Sequence, residues 1–318
     1  MEGPGSKVVI IGVGRVGATC AFALALGGTA EEIVLIDADA VRVAGEAMDL
    51  GHSLPYLRPA KIYAGDYPDC TDADIVIISA GVSQKPGETR IDLLKRNVAV
   101  FQDILPRLER YVNASTVVLV VTNPVDIMTY AALKYIQMPW QQVFGSGTSL
   151  DSARFRHALA QLFGVDSRNV HAYIIGEHGD TEVAAWSSAY IAGSPLAMFS
   201  RDIGIQLGPD EKLRIFEDVR DAAYRIIEAK GATYYAVAVS VRRIVESVLR
   251  NENSILSVSC MMHGEFGLED VCLSLPAIIG RGGIKKVITP NLDHGESALL
   301  RESARNLKQI ISQVFISP

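Results

Sequence analysis

The sequence has little cysteine: Cys20, Cys70, Cys260 and Cys272 are scattered along 318 positions and form no CxxC pair. That spacing excludes a disulfide scaffold and suits reduced thiols in a cytoplasm. Positive charge is also short, with 30 Lys and Arg against 36 Asp and Glu and a formal net charge of -6. No basic field exists to release counterions from a phosphate backbone, so nucleic acid is excluded as the main partner and only a local anion site remains open. No apolar run reaches the roughly 20 residues of a membrane span. Arg15 and the small, apolar stretch 16–30 imitate a signal peptide, but Gly17, Gly27 and Gly28 interrupt it after a strand-like run, and no membrane anchor is expected. The histidines His52, His157, His171, His178, His263 and His294 lack HxxxH or mixed Cys/His ligand spacing, so no metal is expected. Low-complexity tracts and short repeats are absent too. With 49% hydrophobic and 21% charged residues, the chain is expected to fold throughout.

What is present suits two compact lobes. Residues 7–11, 33–37, 61–64, 75–80 and 116–121 read as strands alternating with helical patterns, which implies a parallel sheet. The runs 8–11 and 117–121 are apolar on both faces, as expected when helices cover both sides. From Ser146 the pattern changes to longer helices at 150–163, 211–230 and 233–249, with strands near 172–175, 255–261 and 271–275. The expectation is an α/β, doubly wound parallel-sheet domain over 1–145 and an α+β substrate domain over 146–318. A last helix, 296–314, spaces Leu299, Leu300, Ala304, Leu307, Ile310, Ile311 and Val314 as one apolar stripe.

Gly12-Val13-Gly14-Arg15-Val16-Gly17 follows the first strand and opens a helix. Its glycines serve a tight turn, close approach of the backbone to a pyrophosphate, and helix packing. Asp37 ends the second strand twenty residues after Gly17 (37 minus 17), where a carboxylate accepts hydrogen bonds from ribose hydroxyls. Strand, turn, helix and acid together make a Rossmann dinucleotide site rather than a glycine-rich turn beside a solvated Asp. The carboxylate repels a 2′-phosphate, and Ala38 and Asp39 supply no cation to receive one, so NAD is favoured over NADP.

Four further segments fall where such a fold builds its cleft. The loop 81–90 has glycine hinges and carries Gln84 and Arg90, so it can close over a ligand. Thr122-Asn123-Pro124 fixes a turn, with a cis bond permitted, that points Asn123 at the cleft. Asp151 and Arg154 share one helix face, with an ordinary surface ion pair as the alternative. Gly176-Glu177-His178-Gly179-Asp180 sets an imidazole on a glycine turn, where it can meet a ligand. Together they match the oxidation of a 2-hydroxy acid, which removes a proton from oxygen while a hydride leaves carbon for the nicotinamide. His178 supplies the base, a buried Asp151 fixes its tautomer, Arg154 clamps the carboxylate, and Arg90 and Asn123 polarise the reacting oxygen.

Through the glycine turn, Asp37, QKPGETR, TNPVD, LDSARFR and GEHGD, the sequence resembles the L-lactate dehydrogenase branch of the lactate and malate dehydrogenase family over nearly its whole length. The resemblance implies His178 as proton donor and acceptor, Asp151 as its partner, Arg154 as the carboxylate clamp and Arg90 as the mobile-loop arginine. It places Thr233 in the substrate side-chain pocket and Val237 against the nicotinamide. Gly12, Gly14, Val16, Gly17, Asp37 and Asn123 join Val237 as cofactor contacts. Neutral Gln84 fits the methyl group of pyruvate, where malate-specific relatives usually carry arginine, so lactate and pyruvate are favoured. Arg156 and His171 match positions that bind fructose 1,6-bisphosphate between subunits, and a homotetramer is implied. Arg15 departs from the family's usual aromatic or small residue and is expected to face solvent. The rivals are a malate dehydrogenase or broad 2-keto-acid reductase, and a catalytically idle NAD-binding protein, against which the intact His178, Asp151, Arg154 and Arg90 speak.

Overall fold

Val and Ile runs without a polar face leave water only by lying in the middle of a sheet covered on both sides. The computed structural model, which describes residues 6–83 and 87–315, puts them there. The first half runs β1 (Lys7–Ile11), α1 (Arg15–Leu26), β2 (Glu32–Ile36), α2 (Ala40–Ser53), β3 (Lys61–Ala64), β4 (Ile75–Ile78), α3 (Arg90–Glu109), β5 (Val117–Val120), α4 (Val125–Tyr135) and β6 (Val143–Gly145). All six strands are parallel, in the order β3-β2-β1-β4-β5-β6. The order reverses between β1 and β4, so loops leave the two strands' carboxyl ends in opposite directions and open a crevice there. Every residue of β4 and β5 is buried.

The second half runs α5 (Ser149–Phe163), β7 (Val170–His171), β8 (Ile174–Gly176), β9 (Glu182–Ala184), β10 (Tyr190–Ile191), β11 (Ser194–Pro195), α6 (Leu196–Asp202), α7 (Pro209–Arg220), α8 (Ala222–Lys230), α9 (Tyr235–Leu249), β12 (Ser254–His263), β13 (Glu269–Gly280), β14 (Gly283–Val287) and α10 (His294–Phe315). The sheet does not stop at residue 145. Ser259 of β12 pairs antiparallel with Gly145, and β13, β8 and β9 continue the same sheet. The parallel sheet and the mixed second half agree with the expected fold class, but the two halves share one sheet.

The expected helix over 211–230 is two helices, α7 and α8, which meet at Asp221, the cap residue of both. The short strands β6, β9, β10 and β11 were not anticipated, because two or three residues carry no readable period. In α10, Leu300, Ala304, Leu307 and Ile311 are buried as the stripe implies, whereas Leu299 is exposed. Cys20, Cys70, Cys260 and Cys272 are free and buried. No helix among the described residues is long and apolar enough to cross a membrane.

Candidate active site

The glycine turn is shaped by three different constraints. Gly12 has φ +94°, and a Cβ there would sit 2.3 Å from the backbone nitrogen of Ala80. Gly17 lies so close to the turn that a Cβ would meet the Gly12 carbonyl oxygen at 1.9 Å. Gly14 faces open space, with nothing within 4 Å of the same position. That free face opens on a cavity of about 1070 Å³ lined by Gly12, Gly14, Asp37, Ser79 and Gly81, large enough for a dinucleotide. Asp37 accepts from the backbone N–H of Val13 at 2.6 Å and of Asp39 at 2.9 Å, which locks the carboxylate at the cavity wall. The residues therefore fit a dinucleotide cofactor: a bare backbone at the helix start, a roomy cleft and a fixed carboxylate. Val16 and Gly17 stand behind this lining rather than in it, and Asn123, Thr233 and Val237 also lie outside it. Two cations unremarked in the sequence, Arg42 and Arg107, line the cavity. Arg42 is paired with Asp39 at 3.8 Å, and Arg107 lies over the Tyr67 ring. Arg15 is exposed, but its guanidinium reaches across to Gly231 rather than simply into solvent.

Loops leaving β4 and β5 are tied together. Asn97 accepts from Val82 N–H at 2.8 Å and donates to the Asn123 carbonyl at 3.4 Å, and the Asn123–Pro124 bond is cis. Arg90, the first residue of α3, is 81% exposed in its side chain and pairs with Asp180 at 3.4 Å, while Tyr224 donates to the same carboxylate at 2.8 Å. It thus stands beside the His178 turn without reaching the imidazole. Arg96 grips Glu88 at 2.7 Å and fixes the downstream end of the loop. Gln84 lies outside the described residues.

The residues expected to handle the substrate, His178, Asp151 and Arg154, meet around α5 and the turn after β8. His178 Nδ1 lies 2.5 Å from Asp151 Oδ2, and Arg154 Nη1 donates to Asp151 Oδ1 at 2.8 Å. The Asp151–Arg154 pair is made within one helix, yet it is no surface pair, because the Asp151 side chain is 2% exposed. The imidazole keeps 24% of its surface accessible, while Nδ1 is taken by Asp151. Burial alone would strip His178 of its proton. The Asp151 charge and hydrogen bond, helped by Asp126 and Glu182, outweigh that and push its pKa up to about 9. Asp151 is penalised by burial, but His178 and Arg154 more than compensate and hold it below the usual carboxylate range.

Two carboxylates were missed from the sequence. Asp126, in the TNPVD segment, accepts from the His178 backbone N–H at 2.7 Å and the Ser259 hydroxyl at 2.6 Å, anchoring the turn from below. Its complete burial raises its pKa to about 7 against those bonds. Glu182 is the other, and its ligand atom, with those of Asp151 and His178, falls within a 4.8 Å group. Such a trio has metal-like spacing that linear motifs did not announce. Both Asp151 oxygens are already engaged, however, and the Arg154 guanidinium 2.8 Å away repels a cation. Only the position of Asp126 in a quoted motif offered a signal, whereas nothing in sequence separates Glu182 from a surface glutamate.

Thr233 sits in the segment between α8 and α9, half-buried, and Val237 packs on the main core from α9. On the far side of α5, Arg156 donates to the Ser167 carbonyl at 3.2 Å, with its Nε buried and unpartnered. His171, exposed on β7, follows soon after that carbonyl.

Comparison with known proteins matches residues 6–145 to the lactate/malate dehydrogenase NAD binding domain and residues 148–317 to the lactate/malate dehydrogenase alpha/beta C-terminal domain. An L-lactate dehydrogenase of Acetivibrio thermocellus is 53% identical over 310 residues, covering 98% of each chain. One of Bacillus caldolyticus is 48% identical over 312 residues, again 98% of each. A solved lactate dehydrogenase from a Medee basin deep-sea metagenome library superposes with a TM-score of 0.94 at 42% identity, covering 98% of this chain and 99% of that one. The minor L-lactate dehydrogenase of Enterococcus mundtii gives 0.94 at 38% identity with the same coverage. With each half matched by one of the two domain models and relatives about half identical over almost its full length, this chain belongs to the lactate/malate dehydrogenase family and is an NAD-dependent oxidoreductase.

Proposed function

We propose that the chain is an L-lactate dehydrogenase, interconverting pyruvate and lactate with His178 exchanging the substrate proton. The observation that carries the reading is the buried Arg154–Asp151–His178 relay, which sets a carboxylate-binding cation and a proton donor on one wall. In this reading residues 1–145 hold NAD and residues 146–318 supply the substrate groups. NADH, when bound, supplies the hydride. Because Nδ1 faces Asp151, the proton passes between His178 Nε2 and the substrate oxygen. In pyruvate reduction the imidazolium gives up that proton and ends neutral, and in lactate oxidation it takes it back. Asp151 keeps the ring in the right tautomer and stabilises its charged form. Arg154 retains free N–H donors beside the one on Asp151 and pairs the substrate carboxylate. Arg90 leaves Asp180 when the loop closes and, with Asn123, polarises the reacting oxygen. Thr233 and Val237 line the substrate and nicotinamide sides of the pocket.

Neutral Gln84 supports pyruvate over oxaloacetate, whose second carboxylate would be buried without a partner at a cost of several kcal/mol. Initial rates of NADH absorbance loss with pyruvate, oxaloacetate and longer 2-keto acids test this. At least a tenfold advantage in kcat/KM for pyruvate is expected. Preference for oxaloacetate means malate dehydrogenase, and no turnover with NADH bound means an idle binding protein.

We further infer activation by fructose 1,6-bisphosphate at Arg156 and His171, in a homotetramer whose two-fold axis brings two such sites together. The buried, unpartnered Arg156 Nε supports an anion there, since an orphaned guanidinium N–H is costly. Saturating bisphosphate is expected to lower the KM for pyruvate and favour the tetramer in sedimentation. An unchanged saturation curve and oligomer population would remove this part of the proposal. The buried free thiols suit a cytoplasmic enzyme.

A further inference from the structure

The turn that carries His178 closes into β9, whose first residue, Glu182, stands opposite Gly176 across the hairpin. All of β9 is buried, and Glu182 is 6% exposed. Its Oε1 has no hydrogen-bond partner. Glu296, the other buried glutamate among the described residues, differs, because its carboxylate accepts from the backbone N–H groups of Ser187 at 2.9 Å and Asp293 at 3.1 Å. A carboxylate buried without such donors is expensive to charge, so the group holds a proton instead. Burial, then the Asp151 charge, raise the Glu182 pKa to about 9, against His178, Arg154 and Arg220. Glu182 also lines a cavity of about 360 Å³ whose charged members are Asp180, Lys212, Glu296 and Glu302. A carboxylate oxygen of Glu182, one of Asp151 and a ring nitrogen of His178 all lie within 4.8 Å of one another.

We propose that Glu182 is a positioning residue for His178, a third ionisable group in the proton-transfer cluster whose negative charge helps the imidazole keep its proton. The inference rests on His178 being the proton donor and acceptor. At neutral pH the cluster holds a charged imidazole facing Asp151 and Asp126, an ionised Asp151 and an uncharged Glu182. As pH rises Glu182 ionises in the range where His178 begins to lose its proton, and each charge then stabilises the other. The site thereby keeps its proton donor further into alkaline conditions than one carboxylate would allow.

The test is an NMR titration of the His178 ring in the full chain, in the wild type, Glu182→Gln and Glu182→Asp, paired with the ratio of kcat/KM for pyruvate between pH 9 and pH 6.5. Glu182→Gln is expected to lower the His178 midpoint by at least about half a pH unit, roughly threefold in proton affinity, and to lower the activity ratio by a similar factor. Glu182→Asp, which keeps an ionisable carboxyl, is expected to fall between Gln and wild type. A Gln midpoint equal to wild type, or equal displacement by Asp and Gln, overturns the proposal. The ring titration needs no turnover, so a chain that failed to reduce pyruvate would sink the functional reading and leave the Glu182 result readable.

Discussion

Asp151→Asn removes one charge from the relay while keeping its shape. The wild-type His178 pKa of about 9 stands above an ordinary value of 6.5 although burial opposes it. That difference corresponds to roughly 3 kcal/mol in favour of the imidazolium, supplied by the carboxylates around it. Without the Asp151 charge the midpoint falls to 6.5 or below, and at pH 7 about a quarter or less of His178 remains protonated. The imidazolium is the proton donor for pyruvate reduction, so kcat/KM should drop at least about fourfold at pH 7 and more than about a hundredfold at pH 9, where about half the wild-type imidazole is still protonated. The assay is NADH absorbance with pyruvate from pH 5 to pH 10. Wild type should lose reduction as pH rises through about 9, while lactate oxidation, which needs the neutral imidazole, rises through the same range. Stability follows the same sign: because the folded pKa is raised, the pair's contribution is complete below pH 6.5 and is lost as pH climbs through about 9. The mutant's thermal midpoint should lack that window. An Asp151→Asn enzyme within threefold of wild type at pH 7, with its alkaline limb still near 9, would show that Asp151 does not hold the proton on His178.

Other substitutions probe separate parts of the site. Arg154→Gln should lower kcat/KM for pyruvate about 100-fold or more, largely through KM, since a desolvated carboxylate that loses its cation costs at least about 2 to 5 kcal/mol; steady-state kinetics checks it. Gln84→Arg should move the pyruvate-to-oxaloacetate preference at least tenfold toward oxaloacetate, as competing initial rates would show. Gly12→Ala forces a Cβ to 2.3 Å from Ala80 N at a positive φ, so it should cost about 2 kcal/mol or more in thermal unfolding and weaken NADH binding measured by fluorescence.

Much of the site is legible in sequence because its parts are local. The turn from Gly12 to Gly17, the acid at Asp37 and the three-residue spacing of Asp151 and Arg154 each encode their geometry within a few residues. The buried strands declare themselves by runs such as Val117 to Val120 with no polar face. What is not legible depends on distant packing. Ser259 is 133 positions from the Asp126 it donates to, and Glu182 is an unremarkable strand residue until the hairpin buries it. The division at Asp221 is silent in sequence because neither glycine nor proline marks it and Asp221 itself keeps helical φ and ψ. The joining of β6 to β12 rests on a single paired position, too little for any period to announce. The pairing of Arg90 with Asp180, 90 positions along the chain, is likewise set by distant packing that no local spacing announces.

A crystal structure of the chain with NADH and oxamate, an unreactive isostere of pyruvate, would show whether His178 and Arg154 share one substrate. Oxamate's carboxylate is expected to pair with Arg154 and its carbonyl oxygen to lie within hydrogen-bond distance of His178 Nε2, with Asp151 still on Nδ1. Oxamate bound away from these two side chains, or turned so that its carbonyl faces away from His178, would contradict it.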